Sequence, residues 1–264
     1  MKKNYNLIVG LIITSIFVIF SIVGQFWTPY GATEMNASAV SQAPSFAHWM
    51  GTDNFGRDVL SRVMNGSGTT LFVALATVLI GCVVGTLVGA ITGFYGGWVD
   101  NVIMRINDII LSFPSVLLAL IFISVIGPGR YNIIIALGIL FIPSFARIVR
   151  SEVLRDKELD FVKSATIMGV SKPRIIFAHI LPNAKVSILT AAAIGFNNAV
   201  LAEASMSYLS LGVQPPEPSL GRMLSESQTY LFNMPWYALF PGITIIFIIL
   251  GFSLLSEGLR AMED

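Results

Sequence analysis

Six apolar runs, each long enough to cross a bilayer, constrain this chain more than anything else in it. A hydrocarbon core about 30 Å thick asks for roughly 20 consecutive apolar residues in a helix. Runs of that kind fall at 7–26, 70–94, 103–126, 132–149, 186–211 and 236–257. Backbone polar groups have no partners in lipid, so the runs must be helices that satisfy their own hydrogen bonds. The expected fold is therefore an all-α polytopic membrane protein with six transmembrane helices. Composition agrees: 55% of the residues are hydrophobic and 12% charged, about half the charge of an ordinary soluble domain. A net charge of +1 gives no basic field for nucleic acid. The single cysteine, Cys82, excludes an internal disulfide, and a metal cluster would need other ligands.

Orientation is read from lysine and arginine near the span ends. With the N-terminus inside, Lys2, Lys3, Arg105, Arg147, Arg150, Arg155, Lys157, Lys163, Lys172, Arg174, Lys185 and Arg260 lie on the cytoplasmic side. Only Arg57, Arg62, Arg130 and Arg222 lie outside. Both termini are then expected inside. Met1-Lys2-Lys3 before an apolar run could begin a signal peptide, but the run is longer than a signal core and ends in Trp27 and Tyr30, an interfacial anchor. It is read as a retained span. The expected organisation is a first helix with an outer segment (1–68), a core of five spans (69–258) and a short inner tail (259–264) with no soluble domain after it.

Asp160 to Pro182 is a polar island between the fourth and fifth runs. A helix from about Glu158 to Met168 should stop at Gly169, which tolerates the left-handed conformation of a C-cap. A second should start at Lys172-Pro173, with proline in its first turn. The result is a cytoplasmic helical hairpin with small residues, Ser164 and Ala165, at its tip. Small tip residues let another surface come close.

Elsewhere, Gly56 to Met64 reads as a short amphipathic helix on the outer headgroups, or less simply as a docking surface, and Asn65 to Thr70 as a loop. Gly81, Gly85, Gly89 and Gly93 recur every fourth residue and lay a smooth groove for another helix, within the subunit in preference to between subunits. Tyr95 to Asn101 should be a tight turn, and Arg105 and Asp108, three apart, a pair on one helix face. Pro114 should kink the third span. The fifth span is the most polar, with Asn197, Asn198, Glu203 and several serines. Glu203 can line a water-filled path or clamp helices together. From Val213 to Trp236 the chain should form an outer loop stiffened by Pro215, Pro216 and Pro218. No phosphate-binding loop, metal cluster or nucleophile–base set occurs, so the chain has a pathway and no engine.

The hairpin resembles the cytoplasmic loop of ABC-importer permeases, whose signature is E-A-A, three residues, G, nine residues, I-x-L-P. Lys163-Ser164-Ala165, Gly169 and Leu181-Pro182 fall at those spacings, with lysine for glutamate, serine for the first alanine and His179 for the isoleucine. A wider resemblance is to the second permease of the dipeptide/oligopeptide/nickel importers. It runs through Gly51-Thr52-Asp53, Gly56-Arg57-Asp58, Ser61-Arg62, Tyr95 to Asp100, Phe113-Pro114, His179 to Asn183, Leu211-Gly212-Val213, Pro235-Trp236 and Gly258-Leu259-Arg260. The resemblance implies a type I importer permease of a bacterial or archaeal cytoplasmic membrane, moving peptides, nickel or a metal chelate. It also implies a homologous second permease, two ATPase subunits that carry ATP and magnesium, and an external solute-binding protein. Lys163, Ser164, Ala165, Gly169 and Val170, within a coupling loop of 150–185, would then dock on an ATPase. Asn197, Asn198, Glu203 and Asp108 would border the translocation path. The competing reading is an ion-coupled carrier using Glu203 or Asp108.

Overall fold

The computed structural model describes residues 5–261, so Lys2, Lys3 and the last three residues of the expected tail lie outside it. Helices α1 (Tyr5–Phe26), α2 (Val59–Tyr95), α5 (Arg130–Lys157), α9 (Lys185–Tyr208) and α11 (Pro235–Arg260) are each long and apolar enough to span. Between them come α3 (Gly97–Leu111) and α4 (Ser115–Ile126), then the short α6 (Asp160–Ile167), α7 (Lys172–Ile175) and α8 (Leu181–Asn183). α10 (Leu220–Ser227) precedes α11. Strands are absent among the described residues.

Four expectations are corrected. The third span is not one kinked helix: α3 and α4 meet at 91°. Proline disfavours the α conformation for the residue before it and supplies no N–H, and α3 ends ahead of Phe113-Pro114. The 12 residues of α4 extend only about 18 Å at 1.5 Å per residue, too short to cross alone. Second, the turn after α2 is confined to Gly96 and Gly97, both at φ +62°, and Trp98 to Asn101 already belong to α3.

Third, Gly56 to Met64 is no headgroup helix and Asn65 to Thr70 is no loop: Val59 onward belongs to the 37-residue α2, and Gly56 to Asp58 lead into it. The Asp58 carboxylate caps it by accepting from the Ser61 amide at 2.8 Å. Ser67 Oγ donates back to the Val63 carbonyl at 2.6 Å, which satisfies the hydroxyl within the helix. The small residues serve close tertiary approach: a Cβ on Gly66 would meet the backbone of Ser219, and one on Gly68 the side chain of Gln25. Packing has overridden local propensity here. Fourth, the outer loop contains α10, whose cap Ser219 accepts from the Arg222 amide at 3.2 Å. Leu220 and Met223 on its inner face are fully buried.

The glycine ladder of α2 packs on α5, inside the subunit. Cβ atoms built on Gly81, Gly85, Gly89 and Gly93 would press against Phe141, Phe145, Ala146 and Arg150 in turn. α1 lies against α11 in the same manner, Gly10 on Leu254 and Leu255, Gly251 on Thr14 and Gly258 on Leu7. These contacts put the start of α1 and the end of α11 at one end of the bundle. Lys157 Nζ donates to the Phe94 carbonyl at 2.8 Å, which joins the C-terminal ends of α2 and α5. At the opposite end, Gly24 touches Met64, and Trp236 Nε1 donates to the Thr52 carbonyl at 3.2 Å.

Candidate functional site

The 158–184 segment forms an elbow between α5 and α9. After α6 the chain turns at Gly169, φ +78°, with the Val170 amide donating to the Ala165 carbonyl at 3.1 Å. α7 follows, then a π-helical turn over Ile176–Ile180, then α8. A buried cluster of Val162, Ala165, Ile175, Ile176 and Ile180 packs on Ala90, Phe94, Val149 and Val153. The elbow is thereby seated on the ends of α2 and α5. Among the expected docking residues, Lys163, Ser164 and Gly169 are exposed and Val170 is half-buried. Ala165 is not at the tip; at 4% exposure it faces the core, because it lies three residues from Val162 on the helix face that seats the elbow. Ile167 at 86% and Met168 at 75% exposure form the real tip. The sequence carried a signal for them: both are apolar, and they fall off the 162/165 stripe just before the glycine cap. Beside the tip is a cavity of about 630 Å³ lined by Tyr95, Lys157, Lys163, Ile167 and Lys172 among others.

A second cavity, about 600 Å³, opens where the α3–α4 break meets α5 and α9. Its walls are mostly apolar, with polar groups from Ser115, Ser144, Asn198 and Ser205. Of the expected path residues only Asn198 lines it. Asn197 is half-buried beside it in sequence but off the wall. Glu203 is fully buried and accepts from Ser207 Oγ at 2.6 Å, with the hydroxyls of Thr70 and Ser219 beside it. Asp108 bonds across to α5, to Arg147 Nη2 at 2.7 Å, instead of pairing with Arg105 along its own helix. Two turns earlier on α3, Asp100 takes two hydrogen bonds from Arg150, at 2.5 and 2.6 Å. α3 is thus tied to α5 by two charged rungs, of which the 108–147 rung is exposed on both sides and worth under about 1 kcal/mol.

At the opposite end sits a buried charge cluster that the sequence did not announce. Glu226 of α10 accepts from Arg62 Nη2 at 2.9 Å, Arg57 Nη2 at 3.2 Å, Arg222 Nε at 3.2 Å and the Tyr237 hydroxyl at 2.7 Å. Arg57 Nε also donates to Asp53 Oδ2 at 2.6 Å. His48 Nδ1 lies 2.9 Å from Asp58 Oδ1. Burial opposes ionisation of Glu226, but Arg62, the Tyr237 hydroxyl, Arg57 and Arg222 outweigh it and hold the carboxyl below its usual range. The cluster ties the outer segment, α10 and α11 together. Arg57 and Asp53 at i, i+4 were the available sign of it.

The arrangement is that of a multi-pass helical membrane bundle with a seated elbow at one end and a polar-flecked cavity along its side. Residues 85–262 match the family described as "Binding-protein-dependent transport system inner membrane component", and the chain belongs to that family. It is 42% identical over 264 residues to the dipeptide transport system permease protein DppC of Alkalihalophilus pseudofirmus, covering 100% of this chain and 87% of that protein. It is 38% identical over 254 residues to the glutathione transport system permease protein GsiD of Pectobacterium atrosepticum, covering 94% of this chain and 84% of the relative. To the DppC of Haemophilus influenzae it is 35% identical over 269 residues, covering 100% and 91%. The chain is the permease subunit of an ABC importer, a transport subunit of the cytoplasmic membrane and not an enzyme. Such a subunit works with ATPase and binding-protein partners.

Proposed function

We propose that this permease imports short peptides, paired with a homologous second permease and driven by two ATPase subunits on which ATP and magnesium reside. The reading of substrate is supported by the relatives named for dipeptide and glutathione transport; glutathione is itself a short peptide. The elbow end is cytoplasmic, in keeping with the lysines and arginines gathered there. Its tip is the ATPase contact, with Lys163, Ser164 and Gly169 around Ile167 and Met168. The observation that carries this assignment is a pair of solvent-exposed apolar side chains on an elbow otherwise buried along its inner face. An elbow held this way can bias an inward/outward equilibrium only if the ATPase binds it differently in two nucleotide states.

The test is charge at the tip. Ile167→Asp with Met168→Asp should lower affinity for the ATPase by about 2 kcal/mol or more, as expected for buried apolar anchors. Uptake should fall with it, while subunit abundance in the membrane stays near normal. Retained co-purification of ATPase at wild-type yield would refute the assignment. Ala165→Glu should act differently: it forces a charge into the apolar seat and disorders the elbow itself.

The peptide path runs along the cavity that Asn198, Ser144 and Ser205 line. The wall contains hydroxyl and amide groups and no charged side chain, which suits a neutral or zwitterionic cargo. Glu203 and Asp108 stand away from that wall. Glu203→Gln is therefore expected to slow cationic and neutral peptides by the same factor, whereas Asn198→Leu should obstruct transport without altering assembly. Selective loss of cationic cargo in Glu203→Gln would put the acid on the path after all.

A further inference from the structure

Asp156 is fully buried at the end of α5, where a carboxylate is expensive unless it is held. Its Oδ2 accepts from Asn183 Nδ2 at 2.8 Å and its Oδ1 from Arg155 Nε at 3.2 Å. Arg155 in turn pairs with Glu152. Asn183 is the last residue of α8, at the far end of the elbow. One side-chain hydrogen bond therefore closes the whole 156–183 segment at its root.

The apolar seat beneath the elbow cannot do this alone. Apolar burial is non-directional and tolerates sliding or rotation of one packed surface over another. A charge-assisted hydrogen bond from the exposed Asn183 amide to a buried carboxylate has a short range and a preferred geometry. It fixes where the elbow's exit lies relative to its entry, and so fixes the angle at which α9 leaves. α9 carries Asn198 and Ser205 of the cavity wall, and α5 carries Ser144.

We infer that Asp156 and Asn183 form a clasp that makes the elbow a rigid lever, so that a push at Ile167 and Met168 arrives at α5 and α9 as one motion. The pair are positioning residues: they touch neither ATP nor cargo. The inference rests on the elbow being the ATPase contact. Its distinct consequence is uncoupling, in which ATPase still docks and hydrolyses but the cavity no longer responds.

The complete transporter, with both permeases and both ATPases in nanodiscs, provides the test. A reporter thiol, Ser144→Cys in a Cys82→Ser background, is labelled with a maleimide with no nucleotide and with ATP plus vanadate. The unclasped variant is Asn183→Asp, which sets two carboxylates against each other. The swap, Asp156→Asn with Asn183→Asp, restores the bond with donor and acceptor exchanged. The unaltered clasp should give labelling rates that differ between the two states by about tenfold, within the usual range of allosteric coupling. Asn183→Asp should bring the ratio to near one while the ATPases still co-purify and hydrolyse ATP. The swap should recover it, which a general packing role for either residue would not. A wild-type ratio in Asn183→Asp, or a swap as flat as the single variant, overturns the clasp. A flat ratio with the clasp intact overturns instead the lever reading beneath it.

Discussion

Gly89→Leu should leave almost no folded permease in the membrane. At this position even alanine is too large. A Cβ would stand 2.4 Å from the Ala146 carbonyl oxygen and 2.9 Å from the Arg150 amide nitrogen, both backbone atoms of α5. A flexible side chain can move aside; a hydrogen-bonded helix backbone moves only as a whole. The two helices would have to separate along their longest shared seam. In a membrane that seam is held mainly by close van der Waals packing, since lipid surrounds apolar side chains as well as protein does. Overpacking commonly costs about 1–3 kcal/mol where side chains can adjust, and Gly89→Leu belongs at or above the top of that range.

The ladder should respond in a graded way, and the grading is the stronger test. Gly85 comes close behind, its Cβ 2.5 Å from Phe145 Cβ and 2.8 Å from the Ile142 carbonyl. Gly93 is looser, with nearest contacts at 3.0 Å. Alanine at 89, 85 and 93 should therefore lower the melting temperature of the purified complex in that order of severity. Val83→Leu, on an exposed face of the same helix, should change little. Equal tolerance of alanine at all three glycines would mean that α2 and α5 do not pack as described.

That ladder is also where the sequence was most readable. A four-residue glycine period has few meanings in an apolar helix, and its partner is the only thing the period leaves open. Five of the six runs were legible for the same reason, because bilayer thickness sets their length; the third is broken at 91° into α3 and α4. What stayed hidden depended on tertiary partners. Asn65 to Thr70 has loop composition, yet Ser67 bonds within the helix and Gly66 and Gly68 make room for Ser219 and Gln25. Spacing places the elbow's helices and its glycine cap, but the small size of Ala165 suggests a contact at the tip that its burial rules out. The 162/165 stripe shows that its size serves the seat. Asp156 and Asn183 are 27 residues apart, and no local pattern joins them. Nothing local marks Glu226, because the prolines before it suggest an extended loop where α10 forms against buried partners.

Glu226→Gln carries the other large effect. Removing one partner from a buried charge cluster typically costs about 3–5 kcal/mol, because the remaining charge stays behind without compensation. Here the charge left behind would be Arg62, 1% exposed, whose Nε and Nη1 already have no hydrogen-bond acceptor among the described residues. Its remaining anion, Asp53, lies 3.6 Å from Nε and is shared with Arg57. Arg62→Lys should be nearly as harmful as Arg62→Ala, since an ammonium cannot reproduce the fork that meets Glu226 and Asp53 together. Replacing both charges, Arg62→Met with Glu226→Leu, should recover only part of the lost stability, because Arg57, Arg222 and the Tyr237 hydroxyl also lose Glu226. The pH dependence has a definite sign. The folded carboxyl of Glu226 sits below the ordinary glutamate value of 4.5, so its contribution is complete above that value and disappears as the pH falls through the lowered folded value. Melting temperature of the detergent-solubilised complex should therefore rise with pH across the acidic window in the wild-type chain. It should rise less steeply in Glu226→Gln, which has no proton to lose there. The family match begins at residue 85, so Asp53, Arg57 and Arg62 belong to the part of the chain before it. Through Glu226 and Tyr237 they lock that outer segment to α10 and α11. If identical slopes appear in the two proteins, Glu226 is not the ionised centre of this lock.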